Sequence, residues 1–480
     1  MAASIADRDS GVETGSFRDR DSRVLLADQR VFRVLSAQGL SDWKALAASE
    51  LIGRHVSDGS LISASEISLD RLPAAARAAA LPEAAVAALE HPMLAAVSYP
   101  YEWTFGMLKD AALLQLSLIE EALGEGLILK DASPYNVQWR GAGPVFIDVG
   151  SFEQLQPGEP WAGYRQFCCL NLYPLMVQAH LGVPFSTFLR GSLEGIEPQS
   201  CSRLLRGRHR FRRGVMSHVH LHARLERSNE RSAGRQVRGE LRRADFGVEL
   251  IRANVRKLTR VVDGLRWKPG ETAWTSYRAT STYTDQDTEA KERFVRRAGD
   301  VAPAVTWDIG CNDGHYSRIA AEWSDVVLAL DNDQATVEAL YRALRDEGNT
   351  KILPLVFDAV DPSPALGWRN AERRTLSQRS KPELVLALAV VHHLSITANV
   401  PIEEIISWFH SLDASLVVEF VDRDDPMAER LLSAKRPGAN RDYSRETFEK
   451  ALHASFEVSE TTALPSGTRV LYRAQPKSRA

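Results

Sequence analysis

The chain has 480 residues, with 59 Lys and Arg against 62 Asp and Glu, a net charge of −3 and 44% hydrophobic residues. This is an ordinary globular composition, long enough for about two to four domains. No apolar run approaches the roughly 20 residues that span a bilayer, and residues 1–23 lack the apolar core of a secretory signal, which excludes a membrane-spanning or secreted design. Cys168, Cys169, Cys201 and Cys311 show no Cys-x-x-Cys spacing, which fits a reducing cytoplasm better than a disulfide framework.

Residues 1–20 are polar and rich in small residues, and are expected to be disordered. Residues 22–35 pattern as a hairpin around Ala27-Asp28-Gln29. A helix is expected over 39–52 around Trp43, Leu46 and Leu51, and a second over the alanine-rich 72–90. Leu108, Ala112, Leu116 and Ile119 form one stripe of a helix over 104–122. Then Asp131 is followed five positions on by Asn136, and a short strand over 144–147 leads into Asp148-Val149-Gly150. Residues 161–188 read as core helix broken at Pro174 and Pro184.

Arginine dominates residues 203–266. Such a stretch is either a solvated helical linker or an electropositive face for phosphates. Phe211 and Phe246 are the few aromatic side chains there that could stack on bases, which argues against single-strand binding. His218, His220 and His222 alternate with no nearby acid or cysteine to complete a metal set, so no metal site is expected. Trp274, Tyr277 and Tyr283 then precede a helix over about 287–297.

From Val305 the pattern becomes strand, loop, helix, strand. Val305–Ile309 is an apolar strand, Gly310-Cys311-Asn312-Asp313-Gly314 a tight loop, and a second strand ends at Asp331. Gly310 and Gly314 permit a sharp turn and close approach of a ligand, and Asn312 tolerates positive φ. Asp331 lies roughly 20 residues past the loop, where an acid can accept hydrogen bonds from ribose hydroxyls. Further strands are expected to end at Asp358, to run over 383–391 and 414–421, and to close as a hairpin over 456–474.

The Asp-x-Gly-x-x-x-Gly run from Asp308 to Gly314 resembles motif I of class I S-adenosylmethionine (SAM) methyltransferases, with Asn312 in place of the middle glycine. The resemblance implies an α/β fold, a seven-stranded Rossmann-like sheet over 275–480, with SAM as cofactor. It implies that Gly310, Asn312 and Gly314 face the methionine part, with Asp308 near its amino group. Asp331 would take the ribose, and Asn332, Phe357 and Asp358 the adenine; Ala389, at the end of the fourth strand where the acceptor side opens, is also counted among the cofactor-binding residues, and an aromatic such as Tyr277 or Tyr283 would fold over the cofactor. His392 and His393, past the fourth strand, are the candidate general bases, each with the alternative of merely capping the strand end.

The Asp131, Asn136 and Asp148 spacing resembles the catalytic and metal loops of the protein-kinase and aminoglycoside-phosphotransferase fold, with Asp131 as base and Asn136 and Asp148 as metal positions. Yet no glycine-rich phosphate loop stands in the hairpin, no lysine stands in a following strand, and Leu129 stands where that family has His. The division that follows is a disordered 1–20, an α+β kinase-like domain over 21–200 serving as scaffold or substrate-handling module, a basic helical linker over 201–274, and the methyltransferase domain. The whole resembles bacterial nodulation-protein-related methyltransferases. The expected partner is a small-molecule or glycan-type acceptor methylated on oxygen or nitrogen, with RNA modification and an active N-terminal phosphotransferase as the alternatives.

Overall fold

The computed structural model describes residues 11–78, 85–156, 158–231, 247–270 and 284–478, apart from positions 437 and 439. The N-terminal half opens with an antiparallel sheet of β1 (Gly11–Val12), β2 (Ser22–Ala27), β3 (Arg30–Leu35), β4 (Ser65–Ile67) and β5 (Ala87–His91), in the order β1-β2-β3-β5-β4. The expected hairpin is β2–β3; its two turn residues Asp28 and Gln29 have φ of 50° and 57°. β5 corrects the alanine-rich helix expected over 72–90: among the described residues Ala74–Ala78 is helical and Ala87–His91 is strand, while 79–84 lie outside the described residues. Ala87–His91 lies between β3 and β4 with Ala87, Ala88 and Leu89 buried, so ladder pairing overrides alanine's helix propensity.

The Phe105–Gly124 helix, capped by Thr104, follows this sheet in the chain. Two small antiparallel pairs follow it: β6 (Leu127–Leu129) with β9 (Phe152–Gln154), and β7 (Val137–Arg140) with β8 (Gly143–Phe146). The next helical stretch runs through Pro174 instead of breaking there, because a π-turn over Cys168–Leu172 precedes it and proline stands in the first turn after that. The described parts of the arginine-rich region are packed helices. Val248–Gly264 buries Ile251, Val255, Leu258, Val261 and Val262 and lies along the Phe105–Gly124 helix. His218 shares a hydrogen bond with the half-buried Tyr164 hydroxyl, and His222 with that of the buried Tyr173.

The C-terminal half is a seven-stranded sheet with helices on both faces. Its strands are β10 (Val305–Ile309), β11 (Val326–Asp331), β12 (Ile352–Val356), β13 (Leu384–Ala387), β14 (Ser415–Val421), β15 (Phe456–Ala463) and β16 (Arg469–Pro476). The order is β12-β11-β10-β13-β14-β16-β15, parallel as far as β14 and antiparallel at β16 and β15. All of β10 and β13 is buried, as strands covered on both faces require. The chain reverses direction of winding between β10 and β13, so a crevice opens at their carboxyl ends. Asp425 caps the Pro426–Ser433 helix through its side chain.

Candidate cofactor and acceptor site

A cavity of about 610 Å³ opens at that crevice. Its floor is the loop after β10. Gly310 has φ of 74°, and a Cβ there would stand 2.4 Å from Val390 Cγ2, so the backbone and the β13 loop meet with no room for a side chain. Asn312 takes φ of 49°, as its type allows. Gly314, φ 78°, does not line the cavity; it starts the His315–Ala320 helix and packs on Leu340.

The loop is tied to the next strand. Gly310 and Cys311 donate to the Leu330 carbonyl, and Asn312 N donates to Asp331 Oδ2 at 2.9 Å. Asp331 Oδ1 accepts from Asp333 N at 3.0 Å. Burial pushes the Asp331 carboxyl up from its ordinary range, against those backbone donors. Below the loop, Asp308 is enclosed and accepts from Ser317 Oγ at 2.6 Å; burial raises it to about 6. Asn332, Phe357, Asp358 and Ala389 all line the cavity. Ala389 holds φ of 54°, a left-handed backbone costing about 1–3 kcal/mol in a non-glycine residue.

The two histidines part company. His393 lines the cavity, and burial followed by the nearby Arg469 lowers it to about 4. His392 does not line it. Its ring is wholly buried 4.1 Å from that of His393, and neither nitrogen has a hydrogen-bond partner among the described residues. Tyr283, Tyr277 and Trp274 lie outside the described residues.

Several lining residues went unnoticed in the sequence. Asp285, Thr288 and Lys291 face the cavity from the Asp285–Ala298 helix; their i, i+3 spacing was the available signal. Lys291 Nζ stands 2.6 Å from Glu419 Oε2 and 4.8 Å from the Tyr316 ring centroid. Glu419 meets Arg469 at 3.3 Å, and Arg469 meets Asp425 at 2.7 Å, so two cations and two carboxylates alternate in a buried row. Burial lowers Lys291, against Glu419's pull upward.

In the N-terminal half, Asp131, Asn136 and Asp148 do come together. Ser151 Oγ donates to Asp148 and receives Asn136 Nδ2 at 3.1 Å. Burial, then Asp148, raises the Asp131 carboxyl. A residue not singled out in the sequence completes the cluster: Arg33 on β3 pairs with Asp148 at 2.8 Å. Among the described residues, no group of three or more His, Cys, Asp or Glu is placed to hold a metal, and no helix is long and apolar enough to cross a membrane.

No family model matches the chain. Nodulation protein NoeA of Rhizobium meliloti (strain 1021) is 33% identical over 468 residues, covering 96% of this chain and 95% of that protein. Among solved structures, the N-methyltransferase NodS from Bradyrhizobium japonicum WM9 is 13% identical, with TM-score 0.31, over 40% of this chain and 98% of its own. The magnesium protoporphyrin IX methyltransferase ChlM from Synechocystis PCC 6803 is 16% identical, with TM-score 0.30, over 44% and 90%.

Proposed function

The chain belongs to the family of nodulation protein NoeA, and we propose that it is a cytoplasmic SAM-dependent methyltransferase. The acceptor in this reading is an oxygen or nitrogen of a small-molecule or glycan-type metabolite. The observation that supports it most is Asp331. Each of its oxygens takes one backbone N–H, from Asn312 and from Asp333. The Asn332 backbone adds to these donors; a carboxylate has about four acceptor sites, and the capacity that remains faces the cavity, where ribose hydroxyls would take it.

The rest of the cavity fits the same ligand. Asp285, Asp308, Asp313, Asp331 and Asp358 line it together with Lys291, a surplus of carboxylate suited to a cationic ligand. The backbone at Gly310 and Asn312 leaves the floor open to the methionine part, with Asp308 near its ammonium. Phe357, Asp358 and Asn332 take the adenine end, and Ala389 closes the opposite wall. When bound, SAM supplies a methyl group on a sulfonium, open to in-line attack. Thr288, Tyr316, His393 and Thr397 add hydroxyls and an imidazole to the lining, groups that suit a hydroxylated or amino acceptor. His393 is neutral well below physiological pH. It therefore accepts a hydrogen bond from the acceptor's O–H or N–H and orients the lone pair, while His392 supports it from behind.

The N-terminal half, in this reading, is a kinase-like scaffold without phosphotransfer. Arg33 places a guanidinium on Asp148 where a metal would be needed. Arg373 of the C-terminal half stacks on Tyr135, between Asp131 and Asn136 in the chain, at 4.3 Å, and reaches Gly15 in the β1–β2 turn. Among the described residues of the arginine-rich region, Arg252 and Arg256 pair with Glu249 and Glu120.

Calorimetric titration of SAM into the protein tests the reading, followed by transfer from methyl-labelled SAM into fractionated metabolites. Saturable binding with one site per chain is expected. Absence of binding overturns the proposal.

A further inference from the structure

The cavity and the N-terminal half are joined by a continuous set of contacts. Asp331, beyond accepting from the glycine loop, accepts from Asp333 N; Asp333 in turn caps the Gln334–Asp346 helix through Ala335 N and Thr336 N at 2.8 and 2.9 Å. The first residue of that helix, Gln334, exchanges hydrogen bonds with Gln178 and Ser186. One turn on, the buried Glu338 accepts from Gly106 N at 2.8 Å. Tyr341 OH and Arg345 both reach Asp110, at 2.7 and 3.0 Å. Gln178, Ser186, Gly106 and Asp110 all belong to the N-terminal half.

The packing at the middle of this run is tight. A Cβ at Gly106 would lie 2.9 Å from two Tyr341 ring carbons and 3.0 Å from Glu338 Oε2. Tyr341 cannot swing aside: its ring is fully buried and meets Trp139 edge-on at 5.7 Å. The far wall is held the same way. The β7–β8 turn donates Ala142 N to Asn349 O at 2.9 Å, and Asn349 Oδ1 fixes the start of β12. Beyond the other end of β12, three residues past Asp358, Asp361 is gripped by Arg190 at 2.8 and 2.9 Å.

We infer that the N-terminal half is a positioning clamp for the nucleoside end of the cavity, acting through the Gly106–Glu338–Tyr341 contact on the helix that begins beside Asp331. Both acids at that end, Asp331 and Asp358, lead within three residues into elements anchored on the N-terminal half. Gly106, Glu338 and Tyr341 are positioning residues, distant from any reacting atom. The inference rests on the SAM reading for its functional consequence, and on the hydrogen-bond run alone for its mechanical one.

Gly106→Ala in the full-length protein is the test. Alanine favours the helix in which Gly106 lies, so the local effect on the N-terminal half is not loosening, and the added methyl meets Tyr341 and Glu338 first. The expected results are a SAM dissociation constant raised at least fivefold, a KM for SAM raised with kcat at saturating SAM unchanged, and faster amide exchange in peptides spanning 310–314 and 331–336. Tyr341→Leu added to Gly106→Ala makes room for the methyl, and is expected to restore affinity and exchange to the levels of Tyr341→Leu alone. Asp110→Ala, which removes the acceptor of Tyr341 and Arg345, is expected to speed exchange in the same peptides. Wild-type affinity and exchange in Gly106→Ala, or a double variant no better than Gly106→Ala, overturns the inference. Wild-type protein that binds no SAM overturns the proposed function instead, and the exchange measurement then still decides whether the clamp exists.

Discussion

Asp331→Ala is the substitution that bears most directly on the proposed cofactor. The carboxylate accepts from the backbone N–H groups of Asn312 at 2.9 Å and Asp333 at 3.0 Å, with Asn332 adding to them, and its remaining acceptor capacity is what the ribose hydroxyls would take. Hydrogen bonds to a charged group contribute about 1.5–3 kcal/mol each. Losing both ribose bonds therefore weakens SAM binding by about 3 kcal/mol at the low end, about a hundredfold in dissociation constant. The same substitution frees the Asn312 and Asp333 amides, so some stability is lost as well. Calorimetry with SAM, alongside a urea unfolding curve, separates the two effects. A dissociation constant within threefold of wild type, with stability reduced, would show that Asp331 serves only to fasten the loop, and the nucleoside reading of the cavity would fail.

Asp308, raised to about 6 by burial, holds its proton more tightly in the folded state. Its contribution to stability is therefore present below its ordinary value and lost as pH rises through about 6. SAM affinity should run the opposite way, falling as pH drops through 6 because the ammonium loses its carboxylate, and Asp308→Asn should flatten that profile. Lys291 pulls Asp308 down, so Lys291→Met should shift the midpoint of SAM binding to higher pH; an unmoved midpoint would separate Lys291 from the cavity's electrostatics. His393, lowered to about 4 by burial and Arg469, should titrate near that value by NMR, and His393→Ala should reduce turnover more than SAM affinity; an ordinary midpoint near 6.5 would contradict its enclosure. Arg379 is buried against Glu102 across the two halves and stacks on Tyr99 at 4.1 Å. Arg379→Met leaves Glu102 uncompensated and should cost about 3–5 kcal/mol in urea unfolding; a loss under 1 kcal/mol would mean that the halves are held together elsewhere.

What was legible in the sequence is what the local chain determines. The loop after β10 needed positive φ at Gly310 and Asn312, and both residue types announce it. Asp331 followed from the length of one helix and one strand. Adjacent residues defeated the reading where orientation matters: His392 and His393 are neighbours, but a π-turn over His393–Thr397 sends one to the cavity and seals the other in the core. Lys291 looked like one of many charged residues on its helix, because its Glu419 partner is contributed by β14. β5 was taken for helix because alanine is permissive, and only the flanking strands decide its state. The joint between the halves left no sequence trace at all. Glu338 and Gly106 are 232 residues apart, and Arg379 and Glu102 are 277 apart, beyond the reach of any periodicity.

The charges around the cavity bear on where acceleration would come from. Carboxylates hold a cationic cofactor more tightly than the neutral thioether that remains after transfer, which favours exchange of product for reactant. Binding that is stronger in the ground state than in the transition state does not raise turnover. The chain's contribution to rate must then lie in alignment, which turns an encounter into an effectively intramolecular event and is lost with displacements of about 1 Å. Alignment needs walls that do not yield. Gly310 against Val390 and the left-handed Ala389 make one such wall from the C-terminal half alone. The other is carried by the Gln334–Asp346 helix and β12, whose outer ends rest on Gly106, Asp110 and Ala142. The N-terminal half thus has a physical reason to remain folded against the cavity, whatever chemistry it carries itself.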